Sequence, residues 1–193
     1  MAIKPTKREL QTQETKRRIA TAAKELFGEY GFEPVSVKDI AERAGVTTGA
    51  LYYHFKNKDD LIMAVYGENA TLFRELSEKF ARSEDPLGDI VEFLGETMVK
   101  RIEDDGFEFT RYRVLRFYDY NHSTEFDDCF DVLVRRGLEL GCFREGLGED
   151  ELVDCLTAIY RGAVYQYVVS IPEVDLRALV KRRLRMTIEG IAR

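Results

Sequence analysis

The stretch from Ser36 to Phe55 constrains the fold of this chain more than any other, because two short helix signals meet there at a glycine. Ser36 is placed to act as N-cap with Asp39 three residues on, the spacing of a capping box, and Val37, Ile40, Ala41 and Ala44 follow as an apolar stripe. Gly45 ends that stripe with a residue that can take the positive φ of a tight turn. Leu51 and Phe55 lie one turn apart on the next helix, with Val46 and Leu51 apolar where the pair must close over a core. A short turn between two such helices is the helix-turn-helix unit.

The rest of the chain reads in the same period. Ile19, Ala22, Ala23, Leu26, Phe27 and Tyr30 predict a helix over about 12–30 that Gly31 can end. Asn57 with Asp60 opens a long fourth helix towards Arg82, and Asp85 with Pro86 starts another that carries Leu87, Ile90, Val91, Leu94, Met98 and Ile102. Further helices are expected at about 107–120, 124–140, 150–169 and 175–192. Sustained period-two alternation and hairpin signals are missing, so the fold class is all-α. The composition shift near Lys56 to Lys58 divides 1–57, a helix-turn-helix domain with a basic N-terminal arm, from 58–193, a larger helical domain to which the family resemblance given below assigns ligand sensing and dimerisation. The fourth helix would join the two mechanically.

Charge follows that division. The net charge is −6, yet Lys4, Lys7, Arg8, Lys16, Arg17, Arg18 and Lys24 face only Glu9 and Glu14 near the N-terminus, while acidic runs such as Glu103 to Asp105 and "EDELVD" lie later. Such an asymmetry suggests a nucleic-acid-binding end on an otherwise acidic body. No signal-peptide pattern or long apolar run is present, and Cys129, Cys142 and Cys155 fit reduced thiols, so a soluble cytoplasmic protein is expected. Their spacing, even with His122, is not a zinc pattern, and no cofactor or metal is expected. The chain has two histidines, His54 and His122, and lacks a Gly-x-Ser-x-Gly elbow and a phosphate loop, which argues against an enzyme.

On the third helix, the 100° spacing turns Leu51 and Phe55 inward and Gly49 and Tyr53 outward, flanked by Ala50 and Tyr52. A bare Gly49 lets backbone approach base edges in a major groove, and Thr47 and Thr48 offer hydroxyls and methyl groups. Tyr53, His54, Lys56 and Lys58 can donate to phosphates. The predicted DNA-binding set is Ser36, Thr47, Thr48, Gly49, Tyr52, Tyr53, His54, Lys56 and Lys58. In the body, "FEFTRYRVLRFYDYNH" interleaves arginines with aromatics. The candidate ligand-binding set is Phe93, Arg111, Tyr112, Arg113, Arg116, Phe117 and Phe130, with one arginine expected to turn partly inward. One helix-turn-helix module offers a small interface, so paired units are expected. The last two helices carry the stripes for pairing, with Tyr160, Gly162, Ala163, Tyr167, Leu184 and Ile188 as interface candidates.

"GFEPVSVKDIAERAGVTTGALYYHFKNKDDLIMAVY", residues 31–66, and "TKRRIATAAKELF" before it closely resemble the N-terminal domain of the TetR family of bacterial transcriptional regulators. The family's Gly-x-Leu-Tyr-x-His-Phe-x-x-Lys-x-x-Leu pattern is met at Gly49, Leu51, Tyr52, His54, Phe55, Lys58 and Leu61, while Val35 stands where threonine is commoner. The resemblance implies an all-α homodimer that binds a double-stranded DNA operator, and a C-terminal domain that takes a small-molecule effector. It points to a repressor; a helical interaction or small-molecule-binding protein that kept the fold without operator binding is the alternative.

Overall fold

The computed structural model describes residues 6–67, 70–117, 124–170 and 174–193, side chains at 63, 65–67, 70, 117, 124 and 125 excepted. They fall into two compact units, Met1–Glu68 and Asn69–Arg193. The boundary at 57/58 expected from composition is therefore displaced. The helix after Asn57 lies against the first helix and buries Leu61 and Ile62 there, so its apolar residues belong to the smaller core.

In the first unit α1 spans Lys7–Tyr30, α2 Val37–Arg43, α3 Thr48–His54 and α4 Lys58–Gly67. Helix α1 begins a turn and a half before the expected 12. Thr6 accepts from the Glu9 amide at 3.3 Å, while the Glu9 carboxylate accepts from the Thr6 amide at 2.7 Å, a capping box that needs no apolar partner. Gly31, at φ 79°, ends the helix by donating to the Phe27 carbonyl. Ile19, Ala23, Leu26 and Phe27 from α1 meet Ile40, Ala41, Leu51 and Leu61 in the core, and Phe27 and Phe32 lie with ring centroids 5.0 Å apart. Each fully buried Leu, Ile or Phe there is worth about 1.5–3 kcal/mol of hydrophobic transfer.

The second unit holds α5 Ala70–Phe80, α6 Pro86–Glu92, a π-helical turn Phe93–Thr97, α7 Met98–Asp105, α8 Phe107–Phe117, α9 Thr124–Glu139, α10 Glu149–Val169 and α11 Leu176–Ile191. The helix expected over 57–82 is thus seen as α4 and α5, with Glu68 and Asn69 outside the described residues. Residues 118–120 of the expected 107–120 helix, and His122, also lie outside them. Asp85 caps α6 by accepting from the Gly88 amide at 3.0 Å. Phe73, Phe80, Phe93, Phe126 and Phe130 form the centre of the core, Phe93 stacking on Phe126 at 5.6 Å and on Phe130 at 6.2 Å.

The π-helical turn is a feature that apolar periodicity does not encode. It carries Gly95, where a Cβ would stand 2.8 Å from Lys181 Cγ of α11, and Glu96, which accepts from both Arg177 and Lys181. Arg177 also reaches Glu103 at 2.5 Å, so α11 is pinned by ions to the turn and to α7. At the C-terminus Phe143 pairs with Ala192 in an isolated bridge, and its ring fills the space that Gly137 leaves on α9. Among the described residues there is no strand, and no helix is long and apolar enough to cross a membrane.

Candidate nucleic-acid interface

The α2–α3 corner is closed by backbone. Gly45 has φ 64°; its amide donates to the Glu42 carbonyl at 3.0 Å, and the Val46 amide donates to Ala41 at 2.9 Å. These two bonds make a Schellman motif, which fixes the direction in which the chain leaves α2. Arg18 of α1 seals the same corner by donating to the Ala44 carbonyl at 2.5 Å. Sequence reading missed Arg18; its only signal was a cation on the first helix where the polar carbonyl end of α2 must pack.

Two side chains set the helix starts. The Ser36 hydroxyl accepts from the Asp39 amide at 3.2 Å and donates to the Asp39 carboxylate at 2.5 Å, and this cap holds the Asp39 carboxyl below its ordinary range. Thr47 caps α3 by accepting from the Ala50 amide at 3.1 Å. Leu51 is fully buried and Phe55 buried, so the opposite face of α3 is turned out: Thr47, Thr48 and Gly49 are exposed, as are Tyr52 and Tyr53, the latter 78%. A Cβ at Gly49 would meet nothing closer than Thr47 Oγ1 at 3.9 Å, so internal packing does not demand the glycine. Lys56 is exposed beyond the helix end. His54 is half-buried, its ring edge-on to Tyr53 at 5.1 Å, and burial first, then the nearby Lys16 cation, hold its pKa below the ordinary histidine value.

Lys58 departs from expectation. Its ammonium donates to the Phe32 carbonyl and to Glu33 at 3.4 Å, and sits 3.9 Å from the Phe32 ring centroid. Burial lowers its pKa against the pull of Glu33 and Asp59. The lysine therefore ties α4 to the loop before α2 instead of presenting charge outward, because carbonyls and a ring face lie within reach of its stem. The remaining surface, Thr47 to Tyr53 with Lys56, combines open backbone, hydroxyls and phenols, which suits a groove of base edges flanked by phosphates.

Residues 19–65 match the family profile "Bacterial regulatory proteins, tetR family". This segment is therefore similar to the N-terminal DNA-binding domain of TetR-family regulators. It is 34% identical over 93 residues to the HTH-type transcriptional regulator AcrR of Shigella flexneri, a stretch covering 48% of this chain and 42% of that one. The chain thus spans less than half the length of the curated relatives it matches. Its fold is similar to that of SmeT, the repressor of the Stenotrophomonas maltophilia multidrug efflux pump SmeDEF, with a TM-score of 0.74, 24% identity, and 94% and 92% of the two chains covered. A SmeT–triclosan complex is similar at TM-score 0.70 and 25% identity, covering 94% and 93%.

In the second unit the candidate ligand residues separate. Phe93 and Phe130 are packed ring to ring in the core, so they are structural residues and not an open lining. Arg111 and Arg116 are exposed and Tyr112 is half-buried; the Phe117 side chain lies outside the described residues. Arg113 is the arginine turned inward. Its Nε is buried, and its charge reaches Tyr160, whose phenol burial pushes up to about 12 against the opposing pull of Arg113 and Arg101. The interface candidates also divide. Ala163 and Leu184 are fully buried inside the subunit and are withdrawn, since a helical stripe that faces the body's own core cannot face a second copy. Tyr160, Tyr167 and Ile188 are half-buried and Gly162 is exposed. Sequence reading missed Tyr165, Val169 and Met186, large apolar side chains at the surface of α10 and α11.

Proposed function

We propose that the protein is a ligand-responsive, DNA-binding transcriptional repressor, working as a cytoplasmic homodimer and not as an enzyme. The observation that carries this is the outward face of α3: Thr47, Thr48, Gly49 and Tyr53 are exposed on a helix whose angle is set by the Schellman turn at Gly45 and the Arg18 tie. Gly49 admits close approach of base edges, Thr47 and Thr48 read them, and Tyr53, Tyr52 and Lys56 hold the backbone, with His54 and the Ser36 cap beside them. Two such units on half-sites about one helical turn apart give a palindromic operator.

We infer an effector site in the second unit beside Tyr160, on whose phenol the charges of Arg113, Arg101 and Asp105 act and near which the Arg113 Nε is buried; a small molecule with an acidic or phenolic group suits that setting. SmeT, whose fold is similar, has been crystallised with triclosan, which supports a small-molecule effector of this kind. Selection of duplexes from a random-sequence pool tests the reading: enrichment of a palindrome bound by the full-length protein is expected, with release by a compound found in a thermal-shift screen. Recovery of no sequence above background would favour a helical small-molecule-binding protein without an operator.

A further inference from the structure

The residues matched to the family profile begin at Ile19, yet α1 begins at Lys7, so three turns of helix precede the matched segment. Those turns are exposed along nearly their whole length, and the buried stripe starts only at Ile19. At 100° per residue, Arg8, Thr12, Thr15 and Lys16 continue towards the N-terminus the face that Ile19, Ala22, Ala23 and Leu26 turn to the core. An apolar face that became polar at random would carry no consistent charge; here it carries Arg8 and Lys16, with Thr12 and Thr15 half-buried between them. Glu9, the carboxylate nearest that face, is engaged in the cap with Thr6. The direction of the overhang is fixed, because Arg18 binds the carbonyl end of α2 and the helix runs on about 16 Å from there to Lys7. Arg18 donates to the Ala44 and Gly45 carbonyls at the corner before α3, which sets this part of α1 beside the helix-turn-helix, and the Lys16 cation two residues earlier acts on the protonation of His54 at the end of α3.

We propose that the overhanging start of α1 is a second duplex-binding element, with Arg8 and Lys16 closing on the phosphates of the strand that passes the C-terminal end of α3. This rests on the reading of α3 as a DNA-docking helix and extends it beyond the base-reading face. The contacts are to phosphate, so they add affinity and salt dependence without changing which bases are preferred.

The test uses the full-length protein and a duplex selected from a random-sequence pool, with affinity measured across a salt series. Arg8→Gln with Lys16→Gln is expected to flatten the slope of log K against log salt by about 0.9 per lost phosphate contact, hence by roughly two per subunit. Glutamine is nearly as good a helix former as arginine or lysine, so the melting temperature and helical circular dichroism should not move. Lys7→Gln with Arg17→Gln removes the same charge from other faces of the same turns and should leave the slope nearly unchanged. An unaltered slope in the Arg8/Lys16 variant, or an equal loss in both variants, overturns the proposal and leaves only a diffuse field. If the wild-type protein selects no duplex at all, the DNA-binding reading itself fails and the extension falls with it.

Discussion

At the scale of single residues the structure separates side chains that the spacing of charges alone had grouped together. Lys58 sits at the edge of the candidate interface, yet its ammonium serves the Phe32 and Glu33 carbonyls and the Phe32 ring. Lys58→Met keeps the aliphatic stem and removes those contacts, so it should cost about 1–2 kcal/mol in urea unfolding while the salt slope of DNA binding stays the same. Gly49 is the opposite case, a glycine in a helix with open space where its Cβ would stand. Gly49→Ala should therefore leave stability unchanged or raise it by up to about 1 kcal/mol, and weaken operator binding by excluding close approach. A protein both less stable and normal in binding would place the glycine in the fold and not in the groove.

Among elements, the α2–α3 corner has the least tolerance, because one residue satisfies several demands together. Gly45 takes a left-handed φ, closes both Schellman bonds, and leaves 3.0 Å between a hypothetical Cβ and Arg18 Nη2. Gly45→Ala is expected to destabilise the first unit by about 1–2 kcal/mol through the φ penalty, plus whatever the displaced Arg18 loses. Thermal unfolding followed by circular dichroism measures this. Operator affinity should fall further than stability predicts, since α3 changes direction when the corner opens. In the second unit the corresponding sensitive element is the π-helical turn, where Gly95 admits the Lys181 stem and Glu96 collects two cations.

For the whole molecule the question is which surface would meet the second copy in the proposed homodimer. Tyr165 and Val169 are about half exposed and Met186 is 67% exposed; on α10 the first two continue the surface stripe of Ala158 and Gly162. Small residues followed by larger apolar ones allow helices to approach closely and bury area across a two-fold axis. Tyr165→Arg puts a charge into that face without disturbing the buried side of α10. Sedimentation should show a monomer with operator binding weakened at least tenfold, because one module loses the second half-site. A dimeric, fully binding variant would move the interface elsewhere.

How far a sequence can be read depends on how local the determining physics is. The helix starts at Ser36 and Asp85, the break at Gly45 and the inward turn of Leu51 and Phe55 were all legible, because caps, left-handed glycines and helical period act within a few residues. The outward face of α3 followed from that same period, and with it the all-α fold. Apolar spacing showed that Ala163 and Leu184 are buried, but not whether in their own subunit or against another, since both cases use the same stripe. Lys58 and Arg18 each bond to carbonyls 26 residues away, and long, flexible cations choose among such partners only once the chain is folded. Local bonding thus determined where helices begin, end and turn, whereas tertiary packing alone decided which charges face inward and which apolar residues are left at the surface.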